Sequence, residues 1–124
     1  MRHLAIFAIL VLSSIGPAQA FDENHLAKAK SGQGCDRCDL TRASLSGADL
    51  KGGNFEWSDF SKSNMSGADL SGPNLSEAVL TGALLCGANL TDARVDQGQI
   101  GAANGDDATK LRAGLTKPAQ WKGC

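Results

Sequence analysis

The sequence has few of the residues on which catalysis usually depends. It contains no Tyr, two His and two Trp, and aromatic residues make up 5% of its 124 residues. Beyond the first twenty residues His25 is the one remaining His, in a short predicted helix where a solvated histidine is the ordinary case. No glycine-rich loop precedes a helix in the way that phosphate binding requires. These absences disfavour an enzyme, and we expect neither a cofactor nor a metal site.

Long apolar runs and a strong charge of either sign are also missing. The apolar run at residues 4–12 has nine residues, whereas a membrane span needs about twenty. Lys and Arg number 12 against 13 Asp and Glu, a net charge of −1. A chain without a basic face is not expected to bind nucleic acid.

The start of the chain is typical of a secretory signal peptide. Arg2 and His3 precede the apolar run, and Ala18-Gln19-Ala20 forms a small-x-small cleavage motif. We expect residues 1–20 to be removed, which leaves an exported protein in the periplasm or outside the cell with no membrane association. The loss of Arg2 would leave 11 basic against 13 acidic residues, a net charge of −2.

A five-residue period runs through the middle of the chain. A large apolar residue recurs at Leu40, Leu45, Leu50, Phe55, Phe60, Met65, Leu70, Leu75, Leu80, Leu85, Leu90, Val95 and Ile100. A small residue stands two places before each, from Cys38 to Gly98. A helix has a period of 3.6 and a strand a period of 2. A sustained short period therefore indicates a solenoid, in which each unit buries its apolar residue by stacking on its neighbours.

The strings SGADL, SGPNL and CGANL resemble the A-(D/N)-L-x-x unit of the pentapeptide-repeat family. The resemblance covers residues 38 to about 100. It implies an all-β solenoid, a right-handed quadrilateral β-helix with one pentad per side. Thirteen pentads would form about three coils of about twenty residues each. The large and the small residue would point inward, and the other three positions would lie at the sides and corners.

The segments that flank the repeats predict short helical caps. Residues 21–34 favour an N-terminal capping helix, with Phe21 and Leu26 over the first coil. The β-helix is assigned to residues 35–102 and a C-terminal capping tail to residues 103–124. Within this tail a second short helix is predicted from Asp106 up to Gly114.

The four cysteines, Cys35, Cys38, Cys86 and Cys124, allow three disulfide pairings. In the coil geometry that the resemblance implies, Cys35 and Cys38 begin and end one corner, within disulfide reach. Cys86 lies more than two coils beyond Cys38, over ~11 Å along the axis, whereas Cys124 on a flexible tail can approach it. We therefore expect Cys35–Cys38 and Cys86–Cys124. A redox-active CxxC pair lacks the usual helix N-terminus, and a four-cysteine zinc site fails on the axial distance.

Three residues depart from the repeat in a way that predicts a surface for a partner. Val79 and Leu84 stand where Asp or Asn is usual, and Trp57 occupies a corner position otherwise filled by Gly or polar residues. Trp is enriched in binding hot spots, although a lone exposed Trp is common. We also expect the tail to fold back over the last coil and to lay large apolar side chains on Val79 and Leu84.

These features predict a non-enzymatic, exported protein that acts as a rigid protein-interaction or structural module. Neither the protein partner nor the oligomeric state follows from the sequence. An alternative comes from the family alone, since some members mimic duplex DNA and bind DNA gyrase. Those helices are longer, strongly acidic and cytoplasmic, whereas residues 35–100 carry nine acidic and five basic residues. The second alternative is the CxxC redox protein.

Overall fold

The computed structural model describes residues 21–124; the predicted signal peptide, residues 1–20, lies outside them. Helix α1 spans Glu23–Lys30 and helix α2 spans Gln97–Gly101. Strands β1, Asn89–Leu90, and β2, Lys110–Leu111, pair in parallel. The rest of the β structure consists of single-residue bridges between successive turns of the chain.

Parallel bridges join residues that are twenty positions apart and arrange them in four columns. Column 1 contains residues 34, 54, 74 and 94; column 2 contains 39, 59 and 79; column 3 contains 44, 64, 84 and 104; column 4 contains 49, 69 and 89. Column 4 continues through the pairing of Asn89 with Lys110, which is twenty-one residues away. The chain is therefore a solenoid that advances by one turn per four pentads.

The interior consists of the two inward positions of each pentad. All thirteen large apolar residues, from Leu40 to Ile100, are buried, which confirms the predicted register. Most of the small residues are buried with them, but Ala48 is half-buried and Gly98 is exposed. Gly98 differs because it lies in α2, where the helix replaces the side of a coil.

Each coil turns at the two residues that follow the large apolar position. The second of these has a positive φ whether or not it is glycine, as at Gly52 (67°) and Arg42 (63°). The N–H of Ala43 donates to the carbonyl of Leu40, 3.1 Å away, as in a type II turn. The preceding carboxylate or amide supports the turn: Oδ1 of Asp39 accepts from the N–H of Thr41. The role of these side chains in the turn thus explains why Asp or Asn often stands directly before the large apolar residue.

Helix α1 covers the open end of the first coil. Asp22 caps its N-terminus, Ala29 is fully buried, and Phe21 and Leu26 pack against the core. The edge of column 2 would otherwise be unpaired at Asp39. Its carbonyl accepts from the N–H of Asp22 at 3.2 Å, and its N–H donates to Nδ1 of His25 at 2.9 Å. His25 therefore acts as a backbone cap.

The C-terminal helix is not where the sequence predicts it. The prediction from Asp106 to Gly114 is wrong, because that segment contains a turn and β2. Oδ1 of Asp106 accepts from the N–H groups of Gly87, Ala108 and Thr109, which stabilises the turn. Helix α2 begins earlier, at a reciprocal capping box between Asp96 and Gln99.

Candidate interaction surface

Trp57 lies at a corner in a conformation that favours glycine. Its φ is 61° and half of its surface (50%) is exposed. For a bulky residue this backbone conformation is strained. The guanidinium of Arg37, at the same corner one coil below, lies over the indole ring, 5.7 Å from its centroid. The fold therefore presents an aromatic face with a cation beside it.

The apolar patch around Val79 is smaller than the sequence predicts. Val79 is 44% exposed, as the sequence predicts. Leu84 is less exposed than predicted and is half-buried, because coils lie both below and above it. Leu84 bridges Asn64 on one side and Asn104 on the other. Trp57 and Val79 are the large apolar residues that the described chain leaves exposed.

The tail caps the last coil, but it does not cover Val79. The ring of Trp121 packs against Gly105, and its Nε1 donates to the carbonyls of Ile100 and Ala103 at 3.2 and 3.0 Å. Leu111 and Leu115 also pack against the end of the core. Val79 stays 44% exposed, so the tail does not bury it as predicted, because the uncovered core end offers more apolar surface than one valine. The predicted contact of the tail with Leu84 stays a prediction.

The cysteines pair as the spacing predicts. Cys35 and Cys38 have Cα atoms 5.6 Å apart, and Cys86 and Cys124 5.9 Å apart. Cys35 and Cys38 are almost fully buried, which leaves a redox partner little access. Oγ of Ser58 lies inside this corner, where it donates to the carbonyl of Cys35 at 2.5 Å and accepts from the N–H of Cys38 at 3.1 Å.

The carboxyl groups of Asp69 and Asp106 accept hydrogen bonds that favour their ionised forms. The hydroxyl and the N–H of Ser71 lower the pKa of Asp69, with a smaller contribution from Lys51. Burial opposes ionisation of Asp106, but its hydrogen bonds, led by that from Gly87, hold the pKa of Asp106 below its ordinary value. Among residues 21–124 no group of three His, Cys, Asp or Glu is placed to hold a metal ion. Nor does any helix in that range have the length and apolar character that a membrane crossing needs.

An open cleft of ≈ 580 Å³ lies beside the last coil, between column 1 and the tail. Its lining includes Glu77, Asp92, Ala93, Arg94, Val95, Asp96 and Arg112. Nε of Arg112 donates to the carbonyl of Val95 at 3.0 Å, so the tail forms one wall. The sequence does not predict this cleft, because its two walls come from segments with no shared pattern.

The pentapeptide-repeat family model matches residues 38–76 and 63–97 in eight copies. The chain belongs to the pentapeptide-repeat family. Among solved structures, a pentapeptide repeat protein from the thylakoid lumen of Arabidopsis thaliana is 25% identical, with a TM-score of 0.52. The match covers 70% of this chain and 56% of that one, so the chain spans little more than half of that protein.

A second pentapeptide repeat protein, from Nostoc, is 26% identical, with a TM-score of 0.44. That match covers 77% of this chain and 88% of the Nostoc protein. No curated protein matches the sequence. Membership of the pentapeptide-repeat family accounts for the β-helical solenoid. It does not account for Trp57, for the tail or for the cleft.

Proposed function

We propose that this pentapeptide-repeat protein is an exported, non-enzymatic module that binds a protein partner on a rigid surface. Its repeats form a right-handed, four-sided β-helix of about three coils. Residues 1–20 serve as a signal peptide, residues 21–34 and 103–124 cap the two ends, and residues 35–102 form the repeat body. Neither nucleic acid nor a membrane is its partner.

Export is supported by three independent features. The first twenty residues have the organisation of a signal peptide. Both cysteine pairs are at disulfide distance, and such bonds persist in oxidising compartments. The Arabidopsis relative comes from the thylakoid lumen, which also lies outside the cytosol. Cell fractionation tests the proposal: the protein should be found, shortened by its signal peptide, outside the cytoplasm, and a full-length cytoplasmic chain would contradict it.

The observation that carries the binding role is the exposure of Trp57 at a strained corner. Gly occupies the same corner position at Gly47, Gly52, Gly67 and others, where φ is also positive. A tryptophan there costs conformational free energy of the order of 1 kcal/mol and buries only half of its own surface. Folding does not explain this choice, whereas an exposed aromatic anchor for a partner does.

An affinity capture with the disulfide-bonded protein tests this role. Trp57→Gly removes the aromatic ring and relieves the strain, so the protein should stay folded and lose its partner. Lys62→Gly is the matched control, because Lys62 has a φ of 59° at the neighbouring corner and is also exposed. Partner recovery should persist in the Lys62 variant. Equal recovery with wild type and Trp57→Gly would contradict the proposal.

A further inference from the structure

The two large apolar residues that the described chain leaves exposed lie on the same side of the solenoid. Val79 is bridged to Asp59 in column 2, directly above it, and Trp57 stands at the corner two residues before Asp59. With rungs about 4.8 Å apart and a rise of about 3.3 Å per residue, the Cα atoms of Trp57 and Val79 are about 8 Å apart. The two side chains therefore form one surface, the Trp57–Val79 surface, which a single partner segment can cover.

Acidic side chains surround this surface. Glu56 comes directly before the tryptophan, and Glu77 stands exposed at the same corner one coil above. Asp36 lies one coil below Glu56, and Asp59 lies in column 2 below the valine. Within residues 21–124 neither Glu56 nor Glu77 has a salt-bridge partner. The surface thus combines exposed apolar area with negative charge that the described chain does not neutralise by ion pairing.

A guanidinium already lies on the tryptophan ring. The guanidinium carbon of Arg37 is 5.7 Å from the ring centroid, and its Nε is 3.7 Å from the carboxylate of Asp36. The cation is thus placed between an indole and a carboxylate, an arrangement that suits the planar, weakly hydrated guanidinium. Arg37 reaches the ring from the coil below, whereas Glu77 lies on the coil above. The exposed half of Trp57 and the carboxylate of Glu77 therefore offer the same pair of groups to a second guanidinium.

We infer that the Trp57–Val79 surface binds an extended basic segment of a partner protein, with an arginine on the indole and an apolar residue on Val79. The arginine stacks on the exposed part of the ring and pairs with Glu77. In an extended chain residues i and i+2 lie on one face, about 6.6 Å apart, so the pattern Arg-x-Leu reaches from Trp57 to Val79. This inference rests on the proposed function, because it names the class of segment that the Trp57 anchor selects.

The neighbouring side chains restrict the segment further. Arginine is favoured over lysine, because a guanidinium stacks on an indole and pairs with a carboxylate at the same time. Arg42 and Lys62 stand at the next corner, on the far side of column 2. A second basic residue beyond the leucine would approach these two cations and is therefore disfavoured. The preferred segment carries its positive charge on the Trp57 side of the leucine only.

The probe is the capped pentapeptide Gly-Arg-Ala-Leu-Gly, titrated into the ¹⁵N-labelled, disulfide-bonded protein and followed by NMR. We expect the indole N–H resonance of Trp57 to shift, whereas that of Trp121 stays in place, because Trp121 is bonded at the end of the core. An analogue with citrulline in place of arginine keeps the shape without the charge and should bind about tenfold more weakly. Equal affinity of the two peptides, or an unshifted Trp57 resonance, would overturn the inference.

Two acidic residues give a matched pair of protein variants. Glu77→Gln should weaken binding of the arginine peptide about three- to tenfold, because it removes the carboxylate that pairs with the guanidinium. The citrulline peptide should bind this variant as it binds the wild type. Asp49→Asn removes the same charge from column 4, on the opposite side of the solenoid, and should leave the affinity for the arginine peptide unchanged. Equal losses in both variants would reduce the effect to net charge and contradict the inference.

Affinity capture of the natural partner separates this inference from the proposed function. Trp57→Gly tests the aromatic anchor, whereas Glu77→Gln tests the cation that we place on it. Reduced recovery of the partner is expected with both variants. Loss of the partner with Trp57→Gly but full recovery with Glu77→Gln would contradict the inference and leave the proposed function intact. Full recovery with both variants would contradict the proposed function as well.

Discussion

The indole of Trp121 fills the space that a side chain on Gly105 would need. A Cβ added to Gly105 would stand 2.5 Å from Cζ3 of the ring. Position 105 is where the five-residue period, after Val95 and Ile100, would place the next large apolar residue. The chain has glycine there, and the tail supplies the missing apolar group from outside the repeat.

Substitutions at these two residues should therefore be strongly coupled. Gly105→Leu should lower the free energy of unfolding by about 1–3 kcal/mol, because the leucine and the indole compete for one space. Trp121→Ala should lower it by about 2–4 kcal/mol through loss of the cap. In urea unfolding the double variant should lose clearly less unfolding free energy than the sum of the two single losses. Additive costs would show that the two side chains do not share this space.

Two serines at the same repeat position should respond in opposite directions to replacement by alanine. Ser58 and Ser63 are both fully buried. Ser58 is bonded to Cys35 and Cys38, so Ser58→Ala should cost about 1–2 kcal/mol by leaving backbone groups unpaired. Among residues 21–124 the hydroxyl of Ser63 has no hydrogen-bond partner, so Ser63→Ala should stabilise the protein by up to about 1 kcal/mol. Thermal melts that change in the same direction would contradict this assignment.

The corner conformation can be tested at Glu77, whose φ is 61°. Glu77→Gly should be neutral or should stabilise by up to about 1 kcal/mol, because glycine adopts positive φ without strain. Glu77→Val should destabilise by more than about 1 kcal/mol, since a β-branched residue tolerates this region poorly. Glu56 is the control, because it stands at the first corner position, outside the positive-φ set. At position 56 the glycine variant should be less stable than the valine variant.

Acid should weaken the turn at Asp106. The pKa of this carboxyl is lowered from 3.8 in the folded chain, so its ionised form stabilises the fold above that value. The stabilisation is lost as pH falls through the lower, folded pKa. Asp106→Asn keeps an acceptor oxygen but does not titrate. Melting temperatures of wild type and variant should therefore converge between about pH 4 and pH 2. A constant difference over that range would exclude a role for this ionisation.

The bond between Cys86 and Cys124 should stabilise the fold more than the bond between Cys35 and Cys38. The sequence separations are 38 and 3, and a longer closed loop restricts the unfolded chain more. Replacing Cys86 and Cys124 by serine should cost about 3–4 kcal/mol, against about 2 kcal/mol for the other pair. Calorimetry of the two double variants compares them directly. A larger loss of unfolding free energy on replacing Cys35 and Cys38 would mean that the burial of this disulfide, not the loop length, determines how much it stabilises the fold.

Much of the repeat body is predictable from the sequence because its pattern is local. Each pentad meets the same environment as the one before it, so the burial of Leu70 or Ala83 follows from the period alone. The same regularity places Cys35 and Cys38 at the two ends of one corner, and the axial distance separates them from Cys86. Trp57 is recognisable as a corner residue for the same reason, although its contact with Arg37 depends on the coil below.

The ends of the solenoid were decided by tertiary structure. At the ends the period stops, and the contacts that replace it join residues without a common pattern, such as Trp121 with Gly105 and Arg112 with Val95. Coil stacking also determined that Leu84 is half-buried, since an isolated pentad does not show which rungs lie above it. The sequence alone thus determined the period, the core and the cysteine pairing. The position of α2 and the closure by the tail arose from competition for one uncovered core end, which no local pattern encodes.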